Sequence, residues 1–399
     1  MSSKPVEPLR LGIAGLGLAG GIMASAAAEH PNVVIAGAAD RDAQLRRRFE
    51  RDYPGRSHDD LEKLLAAAPI EAVYIATPHQ FHCEHAVRAL QAGKHVIVEK
   101  PMALTLEECD AMIAAADANG RVLIVGHTHS FDPAITAMAD VVKSGAAGDV
   151  VMLAMWNYTN FIYRPRRPEE LDTSRGGGIL FNQIPHQVDI ARFLIDSPVR
   201  SVRAVTAILD ANRPTEGAAS ILIQFANDAC ASLTYSGYDR FDSDELHGWV
   251  NELGYRGGPS HGTARRSLEQ LVDTDAERRA RTERYGYGSA LFAGAAPHQP
   301  HFGSFVLTCR NADLRQSENG ILIYDRAGVR EVELARTAWR AGFGDVLDEL
   351  YGAVRLDVPA RHDGRFGRGT VETCLAILRS SRERREIVLS LESGSIAGN

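Results

Sequence analysis

The ten residues from Gly12 to Gly21 read GIAGLGLAGG, with Gly15, Gly17 and Gly20 in G-x-G-x-x-G spacing. A strand-like run, LRLGIAG, leads in, and an Ala-rich helical pattern, GGIMASAAAEH, leads out. In that context each glycine has a task. The first makes a tight turn, the second lets the backbone approach a pyrophosphate, and the third lets helix pack on strand. Leu16 lies in the same loop, and the helix start offers its free N–H groups to phosphates. Asp40 ends the next strand, NVVIAGAAD, 25 residues after Gly15. A carboxylate there accepts from a ribose 2′-hydroxyl and repels a 2′-phosphate, so NAD is expected over NADP. Arg41 follows and could stack on adenine or tolerate that phosphate.

Outward from this loop, short β-branched runs alternate with helical patterns. EAVYIAT, KHVIVE and RVLIVG are further strands, and HCEHAVRALQAG and TLEECDAMIAAADANG are the helices between them. That alternation gives βαβ units and a parallel sheet. Beyond Ala147 the texture changes: DVVMLAMWNYT, RSVRAVTAIL, ASILIQFA and CASLTYSGY follow one another with few helices, an antiparallel character. The segment from Gly257 to Pro300 is expected to be an insertion or long loops, and GTVETCLAILRSSRERREIVL an amphipathic helix followed by a strand.

Composition sets the outer limits. The 399 residues suggest two domains, and a net charge of −7 argues against a nucleic-acid partner. No run reaches the roughly 18 apolar residues of a membrane span, and none near the start reads as a signal peptide. With five dispersed cysteines, a reduced, cytoplasmic protein without disulfide framework or zinc site is expected.

Two strand ends carry chemistry. IATPHQFHCEH brings Thr77, Pro78 and His82, and KHVIVEKP brings Glu99 and Lys100. Both fall at carboxyl ends, where an open α/β sheet binds ligands. A turn fixed by Pro101 would aim the Lys100 amine at a substrate oxygen, where it could assist proton transfer.

In order, the three loop glycines, ATP with His82, EKP and GGGILFNQIPHQVD resemble the glucose–fructose oxidoreductase and inositol dehydrogenase (Gfo/Idh/MocA) family, and the match runs to the closing helix. The resemblance implies an α/β protein: a Rossmann NAD-binding domain over 1–130, then over 131–399 a substrate-binding and oligomerisation domain with a large open, mostly antiparallel sheet. It implies an active site between them, with Lys100 the family's lysine, and a homodimer or homotetramer.

The chain departs from the family at Asn182, where an aspartate usually stands four residues before the histidine, here His186. A carboxylate raises an imidazole's pKa and fixes its tautomer, whereas an amide orients it without adding charge. Lys100 and His186 are expected to share the proton work. Asn182 is read as a substrate contact or a local cap, and Asp189 as structural. Pro185 suits a first helical position, which leaves Asn182 just ahead of the helix. GHTHSFDP has Ser130 where many members carry arginine; His127 and His129 beside it are read as substrate contacts, with no metal expected.

Arg164, Arg166, Arg167 and Arg175 crowd into twelve residues before the triple glycine. They read as a clamp for substrate carboxylates, or else as surface partners of Glu169 and Glu170. TPHQFH, GHTHSFDP, YRPRRPEELD and PHFGSFVLTC further resemble the branch of dehydrogenases of 4,5-dihydroxy-4,5-dihydrophthalate, from phthalate degradation. The small-molecule substrate that this implies is a dianionic cis-diol. The alternatives are a sugar or cyclitol dehydrogenase, an oxidative glycoside-cleaving enzyme, and a non-enzymatic dinucleotide sensor.

Overall fold

The structure is a computed structural model that describes residues 7–67, 69–285, 287, 296–335 and 342–390. The chain divides into two compact units. The first comprises Met1–Thr128, Thr282–Phe292 and Arg340–Val371; the second comprises His129–Arg281, Ala293–Trp339 and Glu372–Asn399.

The first unit is built on six strands: β1 (Leu9–Ala14), β2 (Val33–Ala39), β3 (Arg56–His58), β4 (Ala72–Ile75), β5 (His95–Glu99) and β6 (Leu123–Gly126). Their spatial order is β3-β2-β1-β4-β5-β6, and every neighbouring pair is parallel. All four residues of β4 and of β6 are buried, as expected for strands covered on both faces. The order reverses between β1 and β4, the place where such sheets leave a crevice. Local chemistry punctuates the helices. Thr105 and Glu108 form a capping box ahead of Leu106–Asn119, and Gly120 ends that helix at φ +57°. The outer edge of β6 is covered: the Val125 N–H donates to the His362 carbonyl at 2.8 Å.

The second unit carries β7 (Val150–Tyr158), β8 (Val199–Ala207), β9 (Ala218–Phe225), β10 (Cys230–Ser236), β11 (Ser304–Cys309), β12 (Ala312–Gln316), β13 (Gly320–Asp325), β14 (Gly328–Glu333) and β15 (Ile387–Val388). The nine form one sheet, β14-β13-β12-β11-β7-β10-β9-β8-β15. Every pairing is antiparallel except β7 with β10. Strand β9 alternates buried and exposed residues along its length, so one face of the sheet is packed and the other open. The helix Ile184–Ile195 packs on β7 and β10. Eleven of its twelve residues are buried, Arg192 being the exception, so the helix is sunk in the core even though it carries His186, Gln187 and Asp189.

The segment expected as loops from Gly257 instead contains two helices, Thr263–Glu269 and Thr274–Tyr285. The second, TDAERRARTERY, has too few apolar residues to announce itself by periodicity. Ion pairs, described below, hold it. Among the described residues no helix is long and apolar enough to cross a membrane.

Candidate active site

The glycine loop divides its work as the spacing requires. Gly15 has φ +97°, and a Cβ there would stand 2.6 Å from the Ala76 carbonyl oxygen. A Cβ on Gly20 would lie 1.8 Å from the Gly15 oxygen, whereas nothing lies within 4 Å of one on Gly17. Gly17 is also the N-cap of the helix Leu18–Glu29, with no side chain to cap its first N–H groups. Closed backbone at the first and third glycines and open space at the second make a cradle that fits a pyrophosphate. The loop is held from below by Asp40, whose Oδ2 accepts the Leu16 N–H at 2.7 Å and whose Oδ1 accepts the Asp42 N–H at 2.8 Å. Leu16 is fully buried, so only its backbone can serve a cofactor. Arg41 is exposed. Arg46, which no motif singled out, donates to the Asp40 and Arg41 carbonyls at 2.7 and 3.0 Å and fixes that corner.

At the two strand ends, residues expected to contact the cofactor are also tied to one another. His82 is completely buried. Its Nε2 lies 2.8 Å from the Thr77 oxygen and its Nδ1 2.9 Å from the Pro101 oxygen, which ties the ATP turn to the EKP turn. Burial pushes its pKa down to about 4, so at neutral pH its single N–H serves one carbonyl at a time. Thr77 adds a hydroxyl contact to His85 Nδ1 at 2.9 Å. Glu99 ends the apolar strand β5 on a buried carboxylate with both oxygens engaged. The Tyr74 hydroxyl donates to its Oε1, and the Lys100 N–H to its Oε2 at 3.2 Å. Burial raises Glu99 above the usual carboxylate range, against the pull of the Lys100 charge and these hydrogen bonds. Lys100 itself is half-buried, and the Lys100–Pro101 peptide is cis.

His127 and His129 fall in different units. His127 is 1% exposed and packs beside His362 and Phe366, with ring centroids 6.1 and 6.4 Å away. That setting makes it part of the first unit's core rather than a group displayed to substrate. His129 is grouped with His186, their ring centroids 4.6 Å apart at 84°. Phe302 completes the cluster at 4.7 Å from His129 and 4.8 Å from His186. His129 Nδ1 also lies 3.0 Å from Asp132 Oδ2. The helix carrying His186 begins at Ile184, with Pro185 in its first turn.

Asn182 ends the short helix Ile179–Asn182. Its amide donates to the Gly176 and Gly178 carbonyls at 3.1 and 2.8 Å, a local cap. The triple glycine is closely packed too: a Cβ on Gly177 would stand 2.7 Å from the Asp172 backbone, and one on Gly178 2.2 Å from Thr215 Oγ1 on a distant segment. Beside this turn, buried Tyr235 donates to Gln183 Oε1 at 3.1 Å and touches Thr159 Oγ1 at 2.8 Å. Asp189 is fully buried on the histidine's own helix.

The arginines separate by environment. The Arg166 guanidinium lies 3.7 Å over the Phe161 ring and donates to the Phe161 carbonyl at 2.8 Å. Its backbone N–H donates to Glu277, which also takes Arg213 at 2.7 Å. Glu170 collects Arg281 through both oxygens, with Arg167 and Arg166 beside it. Burial would push Glu170 up, but Arg281, Arg166 and Arg167 outweigh it and hold the carboxyl low. All three arginines thus meet the protein's own acids: Arg166 and Arg167 at Glu170, and Arg164, held at 2.7 Å by Asn160, at Glu252 3.6 Å away. Asp132, Phe302 and Tyr235 are the site residues that spacing did not reveal. Asp132 and Phe302 stand inside GHTHSFDP and PHFGSFVLTC, but they are far apart in sequence and only folding joins them to His186. Among the described residues, no group of three or more His, Cys, Asp or Glu is arranged to hold a metal ion.

Comparison with known proteins agrees with this architecture. Residues 9–127 match a family model described as "Oxidoreductase family, NAD-binding Rossmann fold", and residues 135–249 one described as "GFO/IDH/MocA C-terminal domain". A protein of Comamonas testosteroni, named 1-carboxy-3-chloro-3,4-dihydroxycyclo hexa-1,5-diene dehydrogenase, is 40% identical over 94% of this chain and 95% of its own. Inositol 2-dehydrogenase of Rhizobium meliloti is 29% identical over 60% of this chain and 73% of its own. A solved structure from Bordetella bronchiseptica RB50 is 44% identical, covers 96% of this chain and 100% of its own, and superposes with a TM-score of 0.90.

Proposed function

Because the chain belongs to the Gfo/Idh/MocA family of NAD(P)-dependent oxidoreductases, we propose that it oxidises one carbinol carbon of a carboxylated cyclic cis-dihydrodiol, with NAD as the preferred cofactor. The observation that carries the substrate class is the C. testosteroni relative. Its 40% identity runs through 94% of this chain, and its name describes a ring diol that bears a carboxyl group. 4,5-Dihydroxy-4,5-dihydrophthalate is a compound of that class with two carboxylates.

Gly15, Leu16, Gly17 and Gly20 would hold the pyrophosphate and Asp40 the adenosine ribose. Bound nicotinamide supplies the hydride acceptor. Lys100 and His186 divide the proton work: one of them takes the hydroxyl proton from the carbinol whose carbon gives up hydride. The substrate thus loses two electrons and becomes a ketone. Moving one proton from the adjacent ring carbon to the ketone oxygen then yields a catechol, and aromatic stabilisation favours that direction. Arg164 is the arginine we assign to a substrate carboxylate. Its charge bears on Tyr235, whose hydroxyl meets Gln183 beside the His186 helix.

A panel of dihydrodiol carboxylates, cyclitols and hexoses, assayed with NAD through the absorbance of reduced nicotinamide, tests this reading. A carboxylated dihydrodiol should give the highest kcat/KM. Arg164→Ala should lower it roughly 10- to 150-fold, the worth of one hydrogen bond to a charged group, and leave a neutral polyol unaffected. Lys100→Met and His186→Ala should each lower kcat by roughly 10² to 10⁴. A cyclitol or sugar that outperforms every carboxylated diol would overturn the substrate class and leave the family chemistry in place.

A further inference from the structure

His186 lies in the first turn of its helix, and the preceding turn, Ile179–Asn182, carries no charge. Asn182 occupies that turn, and its amide is engaged by the Gly176 and Gly178 carbonyls. The imidazole instead lies edge-to-face with His129, centroids 4.6 Å apart, while Phe302 packs against both rings. Behind His129 is a carboxylate, with Nδ1 to Asp132 Oδ2 at 3.0 Å and side-chain exposures of 18% and 7%. An Nδ1–H turned to a carboxylate leaves Nε2 as the ring's acceptor, so the carboxylate fixes the tautomer and adds electron density to the ring.

We propose that Asp132, acting through the His129 ring, is the carboxylate partner of His186, and that the two are positioning residues for its proton transfer. The inference rests on the reading of His186 as a proton acceptor. It fits the surroundings within the second unit. Burial, with Glu252 and Asp189, raises Asp132, and His129 opposes that rise without cancelling it. His301 lies near enough to interact electrostatically with His129, and the Arg164 charge acts on Tyr235. Asp189, on the helix of His186, is the competing carboxylate and serves as the control.

Isotopically labelled histidine lets the His186 imidazole be titrated by NMR without substrate, its signal assigned by its loss in His186→Ala. Asp132→Asn keeps the shape of the side chain and removes its charge. The midpoint of the His186 titration should then fall by on the order of half a unit to one unit, because a nearby negative charge favours the protonated ring. His129→Gln keeps a donor toward Asp132 but removes the intervening ring, and should move the midpoint the same way. With substrate, the acid limb of kcat against pH should follow the NMR midpoint while KM holds. A midpoint unmoved in both variants, or moved only by Asp189→Asn, overturns the proposal. Because the titration needs no turnover, a failure to find a carboxylated substrate would count against the proposed function and leave this result standing.

Discussion

At the scale of single residues, Asp40 and Asn182 are each bonded to nearby backbone in ways that only the fold shows in detail. Asp40 was singled out for the ribose, yet both its oxygens also accept loop N–H groups. Asp40→Ser should therefore narrow the preference of kcat/KM for NAD over NADP and also raise the KM for NAD, because the glycine loop loses its support. Equal use of both cofactors by the unmodified protein would remove the discriminating role. Asn182→Asp restores the residue usual in the family and is nevertheless expected to harm this chain. A carboxylate would face two carbonyl oxygens that now receive N–H groups. The loss should be about 1–3 kcal/mol at neutral pH, read by denaturant melts. It should shrink at low pH, where the protonated acid can donate once.

At the scale of elements, the helix Thr274–Tyr285 and the arginine loop stabilise one another. Arg281 and Glu170 meet through two hydrogen bonds, and Glu277 joins Arg166 to Arg213. Glu170 is held low in the folded state despite its burial. Its contribution is therefore fully present above the unfolded glutamate value of about 4.3, and it is lost as pH falls below that toward the folded value. Glu170→Gln should lower stability by about 2 kcal/mol or more at pH 7, and the gap from the unmodified protein should close in acid. A gap independent of pH would show that packing, not charge, carries the contact. By the same logic Arg166→Ala should lower Tm clearly, since the guanidinium is stacked and buried, whereas Arg167→Ala, with a side chain 36% exposed, should barely move it.

At the scale of the whole molecule, the open face of the second unit's sheet bears on assembly. Met152, Val205 and Leu222 are 46%, 60% and 44% exposed. Register places Leu222 beside Arg203 on one side and Ser232 on the other, with Cys230 beside Met152. An apolar and polar mixture on a broad sheet suits association between copies, the homodimer or homotetramer that the family resemblance implies. Sedimentation velocity should give a dimer or tetramer, and Leu222→Glu should shift it toward smaller species. A monomer at all concentrations would refute the proposal.

What the sequence determined by itself was whatever depends on neighbours along the chain. The glycine spacing, the strand that ends in Asp40, the alternation over the first 125 or so residues, and the turn at Pro101 all rest on local periodicity and backbone sterics. The first sheet and its ligand-binding end were legible for that reason. The four strands recognised beyond Ala147 were equally plain, although the parallel pairing of β7 with β10 was not, since strand partners lie far apart in sequence. Tertiary structure alone decided which titratable groups meet. His127 and His129 stand two residues apart and belong to different units, while Asp132, His186 and Phe302 come from distant segments into one cluster. For the arginine cluster, Glu170 was a visible partner in the sequence, but Glu277 and Arg281, more than a hundred residues on, were not. The physical reason is one of range. Backbone conformation is set by the next few residues, but the charge, burial and partners of a side chain are set by whatever the fold packs beside it.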